Sequence, residues 1–455
     1  VPGDFNGDAR GEGELDSEDG CGVRCCQRHR LSHANGWHAT AKKVACENFA
    51  PCRAPEQRNL PLTVRDGDRM HVTSKEFKSK AAEKSQDLGA RRRLRGATQH
   101  SVQSRNSVVE DVLNWEGLRE TAHWIKHYSI EHLADLLEEF ERNATANGMK
   151  VYWAETEEQA CTYILDLAHR ERASLIVKSK SMVTEEIRLS HALEKEGIET
   201  VETDLGEFIV QLAGEGPSHI TTPAIHKTRE DIGRLFADRL GVPYSSDPAH
   251  LTGIARDVLR EKFLKAQIGI SGGNFAIAET GEIIIVENEG NARLTTTVPR
   301  IHVAVLGIEK VIPHLEDLST FLAILPRSGT GQRITSYVSL IRSPRCAGEL
   351  DGPEEIHVVL LDNGRSDILA DPMMREVLYC IRCGACLNVC PVYQTVGGHT
   401  YGSVYPGPIG SAFTPLMASL KEAKDLPYAS SLCGRCSEIC PVKIDIHHLL
   451  LWLRR

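Results

Sequence analysis

The 455-residue chain has no run of eighteen or more apolar residues, so no segment is long enough to cross a bilayer as a helix. It also lacks a basic surplus. With 53 Lys+Arg against 62 Asp+Glu its net charge is −9, which argues against general nucleic-acid binding, and no DNA-binding element is visible. Val1 to Arg10 is polar and acidic and has none of the apolar character of a secretory signal. G-x-G-x-x-G and the P-loop are both missing. "GISGGNFAIAETG" (Gly269 to Gly281) is glycine-rich but fits neither, so it gives no support for nucleotide or flavin binding. No Ser/His/Asp or Cys/His nucleophile set stands out. What remains is an ordinary globular composition, 41% hydrophobic and 25% charged, in a chain long enough for two or three domains.

Cysteine, by contrast, is abundant at 14 residues. In a small secreted chain that would suggest disulfides. Here seven of them fall in two short runs at ligand spacing, "CIRCGACLNVCP" (Cys380 to Pro391) and "SSLCGRCSEICP" (Ser430 to Pro441). The pattern C-x2-C-x2-C-x3-C-P is that of iron–sulfur ligation, and thiolates kept free for iron point to a reducing cytoplasm. Zinc is the competing reading, but zinc ribbons use pairs of C-x2-C rather than a triple followed by C-P. Three cysteines of a run reach one cluster, and the cysteine before the proline serves the neighbouring one. This rule assigns Cys380, Cys383, Cys386 and Cys440 to cluster 1, and Cys390, Cys433 and Cys436 to cluster 2.

Ser430 stands where the second run's first cysteine is due. A serine oxygen is a harder, poorer ligand for iron than a thiolate. The alternative is a plain loop serine, with the corner filled by water, another side chain or nothing. Cluster 1 is therefore expected as [4Fe–4S]. Cluster 2 is expected as [4Fe–4S] with a non-cysteine fourth ligand, or as [3Fe–4S]. The spacer Pro391 to Pro415 is glycine-rich, which permits close backbone approach to cluster sulfurs, and its length fits a helical dicluster domain better than a compact ferredoxin.

Along the chain, residues 1–69 read as a disordered or non-native extension. They are rich in Gly, Asp and Glu and show no apolar period. A zinc site among Cys21, Cys25, Cys26, Cys46, Cys52, His29, His33 and His38 is conceivable, although the spacing fits no standard finger. Residues 70–147 read as N-terminal helices, with "RRRLR" (Arg91 to Arg95) as a solvated helix face and Leu133, Leu136, Leu137 and Phe140 at helical spacing. From Lys150 strands alternate with helices: Lys150–Ala154, Ser174–Lys180 and "IETVET" as strands, Glu157–Arg170, Met182–Lys195 and Lys227–Leu240 as helices. That alternation predicts an α/β domain with a mainly parallel sheet over 148–370, and a mainly α-helical dicluster domain over 371–455.

Lys178, Lys180 and Ser181 fall at the carboxyl end of a strand and the start of a helix, where open α/β sheets bind ligands, and form a possible anion site. The plain alternative is a helix capped by Ser181, with Glu185 and Glu186 answering its dipole. "ENEGNARLTT" (Glu287 to Thr296) either supplies polar contacts to a small ligand or only turns the chain. Cys161 reads as a core residue and Cys346 as a loop residue.

Taken together, "VKSKSMVTEEI", "VETDLGEFIVQL", "PSHI", "NEGNARLTTT", "GQRITSY", "DGPEEIHVVLLDNGRSDIL", "CIRCGACLNVCPVY", "GGHTYGSVYPGPIG" and "LPYASSLCGRCSEICPVKI" resemble the lactate-utilisation protein B family, iron–sulfur proteins with an LUD domain. The resemblance covers nearly everything from Met70 onward. It implies an LUD domain of the NagB/RpiA/CoA-transferase-like type followed by the dicluster domain. It also implies a cytoplasmic electron-carrying subunit for oxidation of L-lactate to pyruvate, working with two companions: a cysteine-rich subunit and a second LUD-domain protein. The cluster ligands carry over to the seven cysteines named above, and three cysteines in the second run look like a family trait. Relatives continue beyond the position of Arg455 with a helical tail, so a truncated C-terminus is expected. The competing function is an LUD enzyme acting on a small anionic substrate, with the clusters secondary. An iron–sulfur sensor is disfavoured by the lack of a DNA-binding element.

Overall fold

The computed structural model describes residues 70–455. The expectations for residues 1–69, disorder and a zinc site alike, lie outside the described residues.

The strands are β1 (Lys150–Ala154), β2 (Leu175–Lys178), β3 (Glu199–Glu202), β4 (Ile268–Ser271), β5 (Phe275–Ile277), β6 (Glu282–Glu287), β7 (Ile301–Gly307), β8 (Val311–Ile312), β9 (Tyr337–Ile341) and β10 (Glu355–Leu361). Six of them form one sheet in the order β1-β10-β7-β4-β2-β3, and every pairing in it is parallel. Their sequences say why. "IHVAVLG" in β7 is buried at all seven positions and "LIVK" in β2 at all four, the mostly apolar runs of strands covered on both faces, broken only by His302 and Lys178. Gly269 in β4 permits close cover: a Cβ there would lie 1.9 Å from the Thr295 carbonyl oxygen of the helix Asn291–Thr297. A second, four-stranded sheet in the order β8-β5-β6-β9 carries the hairpin β5–β6.

The expected helix Glu157–Arg170 forms as read, capped by Thr156 accepting from the Gln159 amide. The helix Leu133–Ala146 buries Leu133, Leu136, Leu137, Phe140 and Ala144 against strand residues that include Val358 and Leu360. Truncating one such buried aromatic typically costs about 3–5 kcal/mol. One expected helix is broken. Arg188 takes a left-handed conformation (φ +51°), so Met182–Lys195 becomes two helices, Met182–Glu186 and Leu189–Lys195. The chain turns there with Glu186 fully buried, its carboxylate paired to Arg365.

The N-terminal helices Leu88–Glu110 and Trp115–Glu131 start at side-chain caps, Asp87 accepting from the Ala90 amide and Asn114 from the Gly117 amide. Arg92, Arg93 and Arg95 are exposed while Leu94 is buried, so the basic run is a solvated face. These helices do not stand apart. Phe77, Leu94, Trp115 and Ala122 share one core with Leu387, Val389, Tyr401 and Leu416 from the far end of the chain. Ser74 donates a 2.8 Å hydrogen bond to the Tyr401 carbonyl, across 327 residues of sequence.

Candidate metal centre and adjoining cavity

The two cysteine runs fold as near copies. In the inner turn Arg382 and Gly384 lie at φ +60° and +76°; in the outer turn Leu432 and Gly434 lie at +55° and +78°. Each glycine caps a five-residue helix, Ala385–Val389 and Arg435–Ile439, and each helix ends on the cysteine before the proline, Cys390 or Cys440. The first position of each turn receives the same bond. The Arg382 amide donates to Cys380 Sγ at 3.4 Å, and the Leu432 amide donates to Ser430 Oγ at 3.1 Å. Ser430 therefore occupies the structural place of Cys380, with an oxygen for a sulfur.

All the described cysteines are free thiols. Burial pushes the Cys440 thiol up, and Cys383 and Cys380 add to it. Burial likewise raises Cys383 to about 12, with Cys380 adding. In the other group burial raises Cys436 to about 11, with Cys390 and Cys433 adding, and Cys390 is raised by burial and by Cys433. Cys386 feels Cys383, Cys380, Cys436 and Cys440. These influences decay with distance and cross between the turns, Cys440 feeling Cys383 and Cys380, Cys390 feeling Cys433, and Cys386 feeling both Cys436 and Cys440, so the sulfurs of the two turns lie near one another. Buried sulfurs that resist ionising side by side are a donor set for a cationic centre, and amide groups already point at two of them: Arg382 N–H at Cys380 and Tyr393 N–H at Cys390 (3.5 Å). The residues fit the iron–sulfur clusters that the spacing predicts.

Other elements hold the inner turn. Arg382 lies over the Tyr405 and Phe413 rings, 4.5 and 4.4 Å from their centroids, and donates to Glu309 at 3.4 Å. Glu309 accepts from Arg365 (2.6 Å), Arg365 donates to Glu186 (2.9 Å), and the Tyr405 hydroxyl donates to Glu186 (2.7 Å). A row of alternating buried charges thus runs from the α/β domain to the cysteines. Arg365 raises no desolvation problem that its partners do not answer: burial alone would lower its guanidinium, but Glu186 and Glu309 outweigh that and hold it charged. On the outer side Arg119 donates to the Cys440 carbonyl (2.8 Å) and the Glu438 carbonyl (2.6 Å).

Beside the inner turn lies a cavity of about 300 Å³. It opens where the strand order reverses: the connection from β2 leads outward to β3, and that from β4 leads back toward β7. Open α/β sheets bind ligands at such a point, at the carboxyl ends of the strands. Ser179, Lys180 and Ser181 after β2 line it, with Gly272 and Gly273 after β4, Lys310 after β7, and Ile381 and Arg382 from the cysteine turn. The proposed trio at this edge divides. Lys180 and Ser181 face the cavity, and Ser181 also caps the following helix by accepting from the Thr184 amide at 3.4 Å. Lys178 is corrected: it is fully buried and salt-bridged to Glu185 at 2.8 Å and Glu202 at 2.5 Å, so its charge is spent within the protein. Lys310 and Arg382 were not read as ligand groups from sequence. Nothing local marks Lys310, and Arg382 is hidden among cysteines. The stretch Glu287 to Thr296 turns the chain, Glu287 accepting from the Ala292 and Arg293 amides at 2.8 and 2.7 Å, and its residues Glu287, Asn288, Glu289 and Asn291 line the cavity. Cys161 is half-buried, its thiol pushed up to about 12 by burial, and Cys346 is exposed.

A family model described as "LUD domain" matches residues 137–361, and one described as "4Fe-4S dicluster domain" matches residues 376–444. Lactate utilization protein B of Bacillus pumilus (strain SAFR-032) is 46% identical over 383 residues, 84% of this chain and 80% of that protein. Lactate utilization protein B of Bacillus cereus (strain AH820) is 47% identical over 382 residues, with the same shares covered. Among solved structures, a DUF162 family protein from Deinococcus radiodurans aligns with 50% of this chain and 98% of its own, at 13% identity and a TM-score of 0.29, a likeness too slight to argue from. Among the described residues no helix is long and apolar enough to cross a membrane.

Proposed function

Since the chain belongs to the lactate utilization protein B family, with an LUD domain followed by a 4Fe-4S dicluster domain, we propose that it is the electron-carrying subunit of a cytoplasmic system oxidising L-lactate to pyruvate. The observation that carries this reading is the pair of near-copy cysteine turns, with seven cysteines at iron–sulfur spacing, inside the stretch that matches the 4Fe-4S dicluster domain. Cys380, Cys383, Cys386 and Cys440 would hold a [4Fe–4S] cluster, and Cys390, Cys433 and Cys436 a second of four or three irons. When bound, such clusters take up and release single electrons. The chain's own part is to hold the sulfurs in place, to aim amide groups at them, and to keep water from the inner group by burial. Companion lactate-utilisation proteins, a cysteine-rich subunit and a second LUD-domain protein, are the proposed partners, and we place cleavage of the lactate C–H bond in a companion.

A second reading makes the LUD domain itself act on a small anionic substrate. The cavity against the inner cysteine turn favours it. One experiment separates the two. Anaerobically purified chain should hold about seven to eight irons. Its clusters should be reduced by lactate only when the companions are added; reduction by the chain alone supports the second reading. Stoichiometric zinc with little iron after anaerobic reconstitution would sink both.

A further inference from the structure

The cavity's polar groups are unevenly satisfied. Its carboxylates are engaged: Glu287 by two amides, Asp204 by the Glu207 amide at 3.0 Å, and Glu289 by the Leu205 amide at 3.1 Å. They cap the starts of the helices Asn291–Thr297 and Leu205–Ala213. Its cations are only partly met, Arg382 through one nitrogen to Glu309. Lys180 Nζ is buried without a hydrogen bond and stands 3.6 Å from Glu207, an ion pair only. Arg382 Nη1 is buried without a partner. Lys310 is 7% exposed and makes no hydrogen bond from its ammonium among the described residues. Among the residues that line the cavity, the buried side-chain atoms without a partner are both cationic donors, on Lys180 and Arg382; the acceptor Glu207 Oε1, also without a hydrogen bond, faces Lys180 but does not line the cavity. Leaving buried charged donors unmet is costly, so an acceptor-rich anion is what the space lacks. The mouth lies at Asn288 and Glu289, which are exposed, and the buried end at Lys310 and Ile381. Apolar side chains, Met182, Ile220 and Val305 among them, also line the cavity.

We infer that this cavity binds a small carboxylate, with Lys310 and Arg382 taking its carboxylate group at the buried end and Lys180 a second acceptor nearer the mouth. A carboxylate matches two convergent cations and a short apolar body matches the walls. The choice of 2-hydroxy and 2-oxo acids within that class rests on the lactate reading above. Arg382 lies between Cys380 and Cys383, so the ligand's charged end is placed against the inner cysteine turn.

The test is anaerobic isothermal titration of the reconstituted full chain with pyruvate, L-lactate and inorganic phosphate, with iron content measured on the same samples. Pyruvate and L-lactate should bind saturably. Lys310→Met should weaken both by at least about tenfold, the scale of one lost charged hydrogen bond, while Lys310→Arg keeps binding and both variants keep their iron. Lys180→Met, from a different element, should give an independent loss. Unchanged affinity in both Met variants, tighter binding of phosphate than of either carboxylate, or no saturable binding in an iron-replete chain would overturn the proposal. A chain that binds pyruvate but is never reduced by lactate with its companions present removes the electron-carrier reading and leaves the carboxylate site standing. Normal reduction without binding does the reverse.

Discussion

The inner and outer cysteine turns use the same left-handed pair, the same five-residue helix and the same amide bond to their first position. Their settings differ. In the inner turn Cys383 and Cys386 are buried, Arg382 is stacked on two rings and joined to a charged row, and a cavity of the α/β domain opens onto it. In the outer turn Cys433, Arg435 and Glu438 are exposed. One turn faces a cavity of the α/β domain and the other faces solvent. A duplicated local motif has thus been given two settings by what packs around it, and the turn on the wet side is the one with serine in place of a cysteine.

The grip on the inner turn is the largest target. Arg365→Met leaves Glu186 and Glu309 buried without their shared cation. Loss of one partner from a buried ion pair costs about 3–5 kcal/mol, and denaturant unfolding of the variant should show a loss of that size. A loss below about 1 kcal/mol would mean that the charged row does not hold the turn.

Next comes the crossing of the ligands. Cys440→Ala should disturb the low-temperature EPR signal that also depends on Cys380, Cys383 and Cys386. Cys390→Ala should abolish the other, since only Cys433 and Cys436 would remain. If Cys440→Ala and Cys433→Ala remove the same signal, each turn builds its own cluster and the inner–outer contrast needs redrawing.

A control belongs in the sheet, away from both turns. Burial lowers the His302 imidazole to about 3, where Ser271 Oγ lies 2.7 Å from Nε2, with His357 adding. The folded state then binds fewer protons than the unfolded state between that value and the ordinary 6.5. Stability from this group is complete above the unfolded value and is lost as pH falls through that window. His302→Gln should flatten the acid limb of the stability curve by less than about 1.4 kcal/mol per pH unit, measured by urea unfolding of the apo chain. An unchanged slope would mean that His302 does not titrate there.

The smallest effect is expected at Ser430. Ser430→Ala should alter stability by no more than about 0.5 kcal/mol and leave iron content as it was. Ser430→Cys should complete a four-thiolate outer site and lower its reduction potential, because another anionic ligand disfavours the reduced state. A redox titration that finds the outer potential raised would show that the new sulfur does not reach the iron.

Much of this was legible because it is local. Cysteine spacing, the Thr156 cap and the apolar runs of β2 and β7 are written within a few residues of where they act. The break at Arg188 was not, because "TEEIRLSHALEKE" reads as continuous helix until Glu186 is seen drawn toward Arg365, 179 residues away. Lys178 looked available for the same reason: of its two partners, Glu185 lies within the same turn but Glu202 comes from β3. The cation wall of the cavity joins the end of β7 to a loop some 70 residues later, and no period in the sequence announces such a meeting.

The shared core of the N-terminal helices and the cysteine turns also sets a timetable. The ribosome delivers Ser74 and Leu94 long before Tyr401 and Leu387, and at about 5–20 residues per second the wait is on the order of tens of seconds. Until then the apolar face around Phe77 and Leu94 has only earlier members of its core, such as Trp115 and Phe321, to cover it, and the part that meets Leu387 and Tyr401 stays open. The grip on the outer turn comes later still, because Arg119 can grasp the Cys440 carbonyl only once Cys440, 321 residues further on, has emerged.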